Sequence, residues 1–128
     1  MTARLEFVVG QADTARALGS GDVEVLGTPR LLAWCEAATV AAAAGLLEPG
    51  QTSVGTRVSL EHLAPTPVGV RVQVEASLLN RDGRLLVLTV AAHEMDDAGP
   101  ATLIGTGEVR RVIVDAARFA ERAAVRQP

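Results

Sequence analysis

Glu36 is the only charged side chain in the seventeen residues from Leu31 to Leu47. Removing an ionised carboxylate from water is costly unless it is paired or takes up its proton, so a carboxylate in apolar sequence needs a partner or a task. His62 is a candidate partner. In the run Val54-Gly55-Thr56-Arg57-Val58-Ser59-Leu60-Glu61-His62, alternation places His62 on the face of Val58 and Leu60, the dry side of a strand, with Glu61 on the wet side. A carboxylate and an imidazole held in low-dielectric surroundings have displaced proton affinities and can move protons near neutral pH. General acid and base catalysis of that kind is worth roughly a hundred- to ten-thousandfold in rate. Each residue also has a plainer reading. Glu36 can pair with an arginine of another subunit, His62 can be a satisfied core histidine, and Gly55 can mark a strand bulge.

The elements that must position these groups follow from periodicity. Arg4 to Val9 alternates as a half-buried strand, and Asp22 to Leu26 reads as a second, short one. Thr28-Pro29 then opens a helix, with Thr as N-cap and Pro at the first helical position. That helix is expected to run from Pro29 to about Ala44, carrying Leu31, Cys35, Ala38 and Ala42 on one stripe and Leu32, Glu36, Val40 and Ala43 on its neighbour. Being apolar on most sides, it should be enclosed, and Gly45 and Pro49-Gly50 end it. Trp34 reads as packing at a helix or subunit surface.

Four long strands are predicted next: Thr52 to Leu63, Val68 to Asn80, Arg84 to Glu94 and Thr102 to Val114, separated by turn-forming Pro, Gly, Asn and Asp. In the second of these, Val68, Val70, Val72, Val74, Ala76 and Leu78 share one face. Asp115 can cap a last helix, Ala116 to Val125. Only one long helix is available to cover an apolar sheet face, so the expected fold is α+β, an antiparallel sheet wrapped around a central helix in the hot-dog manner. Residues 1–128 are expected to make one such domain, with 115–128 as a short helix or tail.

Composition narrows the partners. The formal charge is -3 and every basic residue is an arginine, scattered singly or in pairs, which argues against nucleic acid and anionic membranes as partners. Two histidines far apart and one cysteine give no metal-ligand spacing, and no glycine-rich phosphate loop is present, so no metal or other cofactor is expected. Cys35 reads as an inert core thiol, which fits a reducing cytoplasm. The helical stretch is too short for a membrane span and carries a charge at its middle, and Met1 to Gly10 lacks a signal-peptide pattern.

With Thr28, Glu36, Gly55 and His62 in hand, the chain resembles the fluoroacetyl-CoA thioesterase family of the hot-dog superfamily. That family carries a Thr at the start of the central helix, a Glu eight residues on, a His twenty-six after the Glu and a Gly seven before the His, and all four intervals recur here. The similarity spans roughly residues 20 to 114. It implies hydrolysis of a small acyl thioester of coenzyme A. By position, Glu36 would attack the thioester carbonyl or activate a water, and Thr28 would orient that carboxylate. His62 would transfer protons, and the Gly55 N–H would help hold the carbonyl oxygen. It also implies a homodimer or dimer of dimers with sites formed between subunits, which suits a chain poor in large hydrophobes. No aromatic residue lies between Phe7 and Trp34, so the family's aromatic lid is not evident and a broader short-chain specificity is expected. Arg81, Arg84, Arg110 and Arg111 can meet coenzyme A phosphates or lie on a solvated face. The alternatives are a non-catalytic acyl-CoA-binding protein, an enoyl-CoA hydratase, whose hydration motif is missing, and a structural dimer using Glu36 in a salt bridge.

Overall fold

The computed structural model describes residues 1–125. Strand β1 (Thr2–Val8) precedes a one-turn helix α1 (Ala15–Leu18) and the long helix α2 (Thr28–Ala43). Strands β2 (Gln51–His62), β3 (Arg71–Asp82), β4 (Leu85–Asp96) and β5 (Gly99–Asp115) follow, and α3 (Ala116–Val125) ends the described chain. The sheet order is β1-β3-β4-β5-β2 with antiparallel pairing throughout. One antiparallel sheet therefore packs on one long helix, the α+β hot-dog arrangement expected from the element order.

The chain turns where its backbone allows it. Gly83, at φ +59°, sits in the two-residue connection between β3 and β4, and Gly99, at φ +113°, follows the one between β4 and β5. The α2 stripe Leu31, Cys35, Ala38 and Ala42 is buried as expected, against Val72, Val74 and Ala76 of β3 and Leu86, Leu88 and Val90 of β4. Burying each large aliphatic side chain contributes about 1.5–3 kcal/mol. Asp115 caps α3, its Oδ1 accepting the Arg118 N–H at 2.9 Å.

Four expectations change. Asp22 to Leu26 is not a strand: only single bridges, Thr14 to Leu26 and Val25 to Pro67, form there. The backbone oxygens of Val23 and Val25 accept instead from Arg16 and Ala15 at the start of α1, leaving no partner strand. Helix α2 is not enclosed within one chain, because Ala33, Ala37, Val40 and Ala41 are exposed. Strand β3 starts at Arg71 rather than Val68, since Gly69 takes φ +95° in a turn; the buried face begins at Val72. Trp34 is buried, stacked on Phe7 at 4.6 Å between ring centroids, and so fixes α2 to β1. No helix among the described residues is long and apolar enough to cross a membrane.

Candidate active site

The sequence-predicted residues fall into two clusters on the helix-facing side of β2. The first stands at the N-terminus of α2. Gly27, not Thr28, is the N-cap, so the Thr28 hydroxyl is not spent on capping; it hydrogen-bonds His62 Nδ1 at 2.8 Å. A side chain at 27 would be crowded, since a Cβ there would lie 3.0 Å from the Ala15 Cα. The Gly27 N–H donates to Asp13 O at 2.9 Å, and the Asp13 carboxylate holds Arg30 at 2.8 Å, which together fix the helix start.

His62 Nε2 is buried and has no hydrogen-bond partner among the described residues, although buried polar atoms ordinarily have one. Burial lowers the proton affinity of the imidazole below the usual histidine range, an effect the Ala64 backbone only partly offsets. A neutral imidazole at neutral pH is thus held with one nitrogen on a hydroxyl and the other ready for a proton. Thr28 and His62 open on a cavity of about 350 Å³ whose walls include Val23, Val25, Leu26 and Leu63. Among the described residues its wall contains no Phe, Tyr or Trp.

The second cluster surrounds Glu36, two turns further along α2. A Cβ built on Gly55 would lie 2.6 Å from Glu36 Oε2, so only glycine lets the strand pass this close to the carboxylate. Arg111 of β5 reaches Glu36 Oε2 at 3.4 Å. The guanidinium is otherwise fixed by Ser53, whose Oγ accepts from Nε and whose carbonyl accepts from Nη2, both at 2.9 Å. The Arg111 side chain is 7% exposed and that of Glu36 39%, so the cation is interior and the carboxylate sits at a rim. Glu36 is therefore a paired, part-exposed group rather than a lone charge in a sealed helix.

Gly55 and His62 are an odd number of residues apart, yet both face α2. The register between β2 and β5 shifts between Gly55 and Arg57, so the bulge at Thr56 reverses the alternation. Gly55 pairs with buried Arg111 and Val58 with buried Val109.

Three expectations about contacts within one chain are revised. Within one chain the Thr28 hydroxyl contacts His62 and not Glu36, because eight residues of helix at about 1.5 Å per residue put that carboxylate about 12 Å away along the axis. For the same reason no hydrogen bond or ion pair joins Glu36 to His62 within the described chain. Arg111 is neither a solvated nor a phosphate-facing arginine. Its alternation with buried Val109 and Ile113 was the available signal, and a charged residue in that pattern calls for an interior partner. Glu61 is exposed and His93 lies in a shallow recess with Gln73 and Glu75, away from both clusters. Burial drives the Cys35 thiol up to about 12, consistent with an inert core residue. No three His, Cys, Asp or Glu side chains group as metal ligands among the described residues.

Comparison with known proteins gives concordant matches. The model of a family described as fluoroacetyl-CoA-specific thioesterase matches residues 9–117. The fluoroacetyl-CoA thioesterase of Streptantibioticus cattleyicolor is 38% identical over 104 residues, covering 81% of this chain and 70% of that protein. A solved structure of the fluoroacetyl-CoA thioesterase FlK superposes with a TM-score of 0.88 at 32% identity, covering 100% of this chain and 96% of the other. A hot-dog-like protein from Thermanaerovibrio acidaminovorans gives 0.85 at 25% identity, covering 100% and 91%.

Proposed function

From the family to which this chain belongs, that of the fluoroacetyl-CoA-specific thioesterases, we infer that it hydrolyses a small acyl thioester of coenzyme A. The non-hydrolytic acyl-CoA-binding alternative is not favoured. We propose Glu36, His62 and Thr28 as the reacting group, with Gly55 beside the substrate carbonyl. Glu36 either attacks the carbonyl carbon, giving an anhydride that water then opens, or takes a proton from a water that attacks directly. The proton that the water gives up passes by way of His62 Nε2 to the departing thiolate, Thr28 holds the ring through Nδ1, and the Gly55 N–H meets the oxygen as charge develops on it. The products are the free acid and coenzyme A.

One observation carries this reading. The Glu36 carboxylate occupies the space that a side chain at Gly55 would need, on the same strand and the same face as His62. The two clusters are separate in one chain, and a dimer supports bringing them together. Strand β2 is a sheet edge of twelve residues with Gly55 to Ser59 exposed, an arrangement that proteins commonly close by pairing with another copy. Two-fold antiparallel pairing centred near Val58 would set the His62 of one copy alongside the Gly55 and Glu36 of the other. We therefore read the protein as a homodimer of single hot-dog domains with two shared sites, working in a reducing compartment such as the cytoplasm, which suits the free Cys35. The aliphatic cavity beside His62 suits short apolar acyl groups beyond the two-carbon unit.

Mixing inactive variants tests the shared site. Glu36→Gln and His62→Ala proteins should each release thiol from acyl-CoA at a rate lower by at least about a hundredfold. Exchanged together, they should regain about a quarter of wild-type activity, because half the dimers are mixed and each mixed dimer carries one intact site. Full activity of Glu36→Gln would remove the carboxylate from the chemistry, and absence of recovery on mixing would refute sites built from two chains.

A further inference from the structure

The mechanism above makes no use of a second cavity, about 400 Å³, walled by Gln51, Arg84, Asp115, Arg118, Phe119 and Arg122. We propose that this cleft binds the nucleotide end of coenzyme A, its adenosine and phosphate groups, an inference that rests on the acyl-CoA reading of the active site.

Charge is the first reason. The chain is acidic overall, yet three guanidiniums border one cleft in whose wall Asp115 is the only carboxylate among the described residues. Among the described residues Arg4, Arg16, Arg30, Arg71, Arg110 and Arg111 are paired with carboxylates, whereas Arg84, Arg118 and Arg122 of this cleft, like Arg57 and Arg81 elsewhere, have none within ion-pair distance. Asp115 forms no ion pair with any of them, its Oδ1 accepting from the Arg118 backbone N–H, and its single charge leaves the three guanidiniums in excess. Arg118 and Arg122 are four residues apart on α3 and so project side by side. Guanidiniums offer phosphate a planar, two-pronged set of donors.

Shape is the second. Phe119 is 42% exposed at the wall of the same cleft, an aromatic face on which a purine ring can stack. The cleft is also held in place rather than left to the helix alone. The Ala116 N–H donates to Gly50 O at 3.0 Å at the start of α3, and the Ile113 N–H donates to Arg84 O at 2.9 Å in the β3–β4 turn.

Position is the third. Gln51 lies four residues before Gly55 on β2, about 13 Å along an extended strand. An extended pantetheine arm spans such a gap, so phosphates held by the arginines leave the thioester free to reach Glu36.

Steady-state kinetics with two carriers of the same acyl group decide the matter: propionyl-CoA, and the propionyl thioester of N-acetylcysteamine, which lacks the nucleotide. In Arg118→Ala and Arg84→Ala proteins the KM for propionyl-CoA should rise about tenfold each, with kcat unchanged and the small thioester unaffected. Arg118→Lys should recover part of the loss, and Phe119→Ala should raise the same KM several-fold. The dephospho form of the CoA thioester should lose part of the advantage, whereas adenosine 3′,5′-bisphosphate should compete and inorganic phosphate alone should compete only weakly. Equal effects on both carriers, or none on either, would overturn the proposal. Calorimetric titration with coenzyme A keeps the two readings apart. If the wild type releases no thiol but binds coenzyme A with an affinity the Arg118→Ala/Arg122→Ala protein lacks, the hydrolytic reading fails and the cleft stands. Normal thiol release with unchanged coenzyme A binding in that variant sinks the cleft alone. Circular dichroism should show that these exposed substitutions leave the fold intact.

Discussion

Replacing Gly55 by alanine separates the site from the fold more sharply than any other single change. The added Cβ would stand 2.6 Å from Glu36 Oε2, whereas carbon and oxygen rest at about 3.3–3.6 Å, so the carboxylate must withdraw by about 0.7–1 Å. It can do so cheaply, being the end of a flexible side chain with 39% exposure. The backbone at Gly55 is not in the left-handed region, and the next neighbour, Arg111 Nη1, would sit at an ordinary 3.5 Å. Alanine in a strand is if anything favoured over glycine, by about 0.5–1 kcal/mol. The fold should hold, with a thermal midpoint within a few degrees of wild type. A reacting group misplaced by about 1 Å costs on the order of a hundredfold, so kcat/KM for propionyl-CoA, followed by thiol release, should fall by about that factor. Adding Glu36→Gln to Gly55→Ala should bring little further loss, since both remove the same interaction. Gly107→Ala is the contrast, because its Cβ would meet the Ser59 carbonyl at 2.1 Å, a backbone clash that must damage the sheet itself. Wild-type kcat/KM in a well-folded Gly55→Ala protein would refute the placement of the reactive carboxylate.

Three further outcomes follow from the same geometry. Because burial holds the folded His62 pKa below its unfolded value of 6.5, the unfolded chain takes up the proton first; stability is complete above that value and declines as pH falls through the folded pKa. Denaturation midpoints between pH 7.5 and 5 should thus fall further for wild type than for His62→Gln, with kcat/KM showing an acid limb below about 6.5. Thr28→Val removes the 2.8 Å contact to Nδ1 but no cap, so activity should drop about tenfold with a nearly unchanged melting curve; a melting loss as large as a missing N-cap would contradict the assignment of that role to Gly27. Arg111→Met forfeits both bonds to Ser53 and the contact with Glu36, and urea titration should show a loss of about 2–4 kcal/mol; less than about 0.5 kcal/mol would mean the guanidinium is not structural.

Periodicity alone made most of the architecture legible. The stripe Leu31, Cys35, Ala38 and Ala42 was readable because helical spacing and burial agree there, and the four long strands because turn-forming residues bound them. Asp22 to Leu26 misled because alternation describes a residue's preference, not the presence of a partner strand, and α1 supplied the hydrogen bonds instead. The candidate site was legible as a proposal about residues but not as a set of contacts. Intervals shared with the thioesterase family singled out Thr28, Glu36, Gly55 and His62, yet which hydroxyl meets which base depends on two turns of α2 and on the bulge in β2. Arg111 was hidden for another reason: a charge on a dry face reads as an exception until Ser53 and Glu36 are seen around it.

The extra residue at Thr56 restricts how this segment can evolve. Lengthening or shortening the chain between Gly55 and His62 by one position would turn one of them outward, so drift in this stretch must proceed by exchanging side chains, while insertions and deletions collect at hairpin tips such as Asp97-Ala98. A homologue with one residue more or fewer in that interval would have to carry a compensating irregularity elsewhere in the strand or give up one of the two functions.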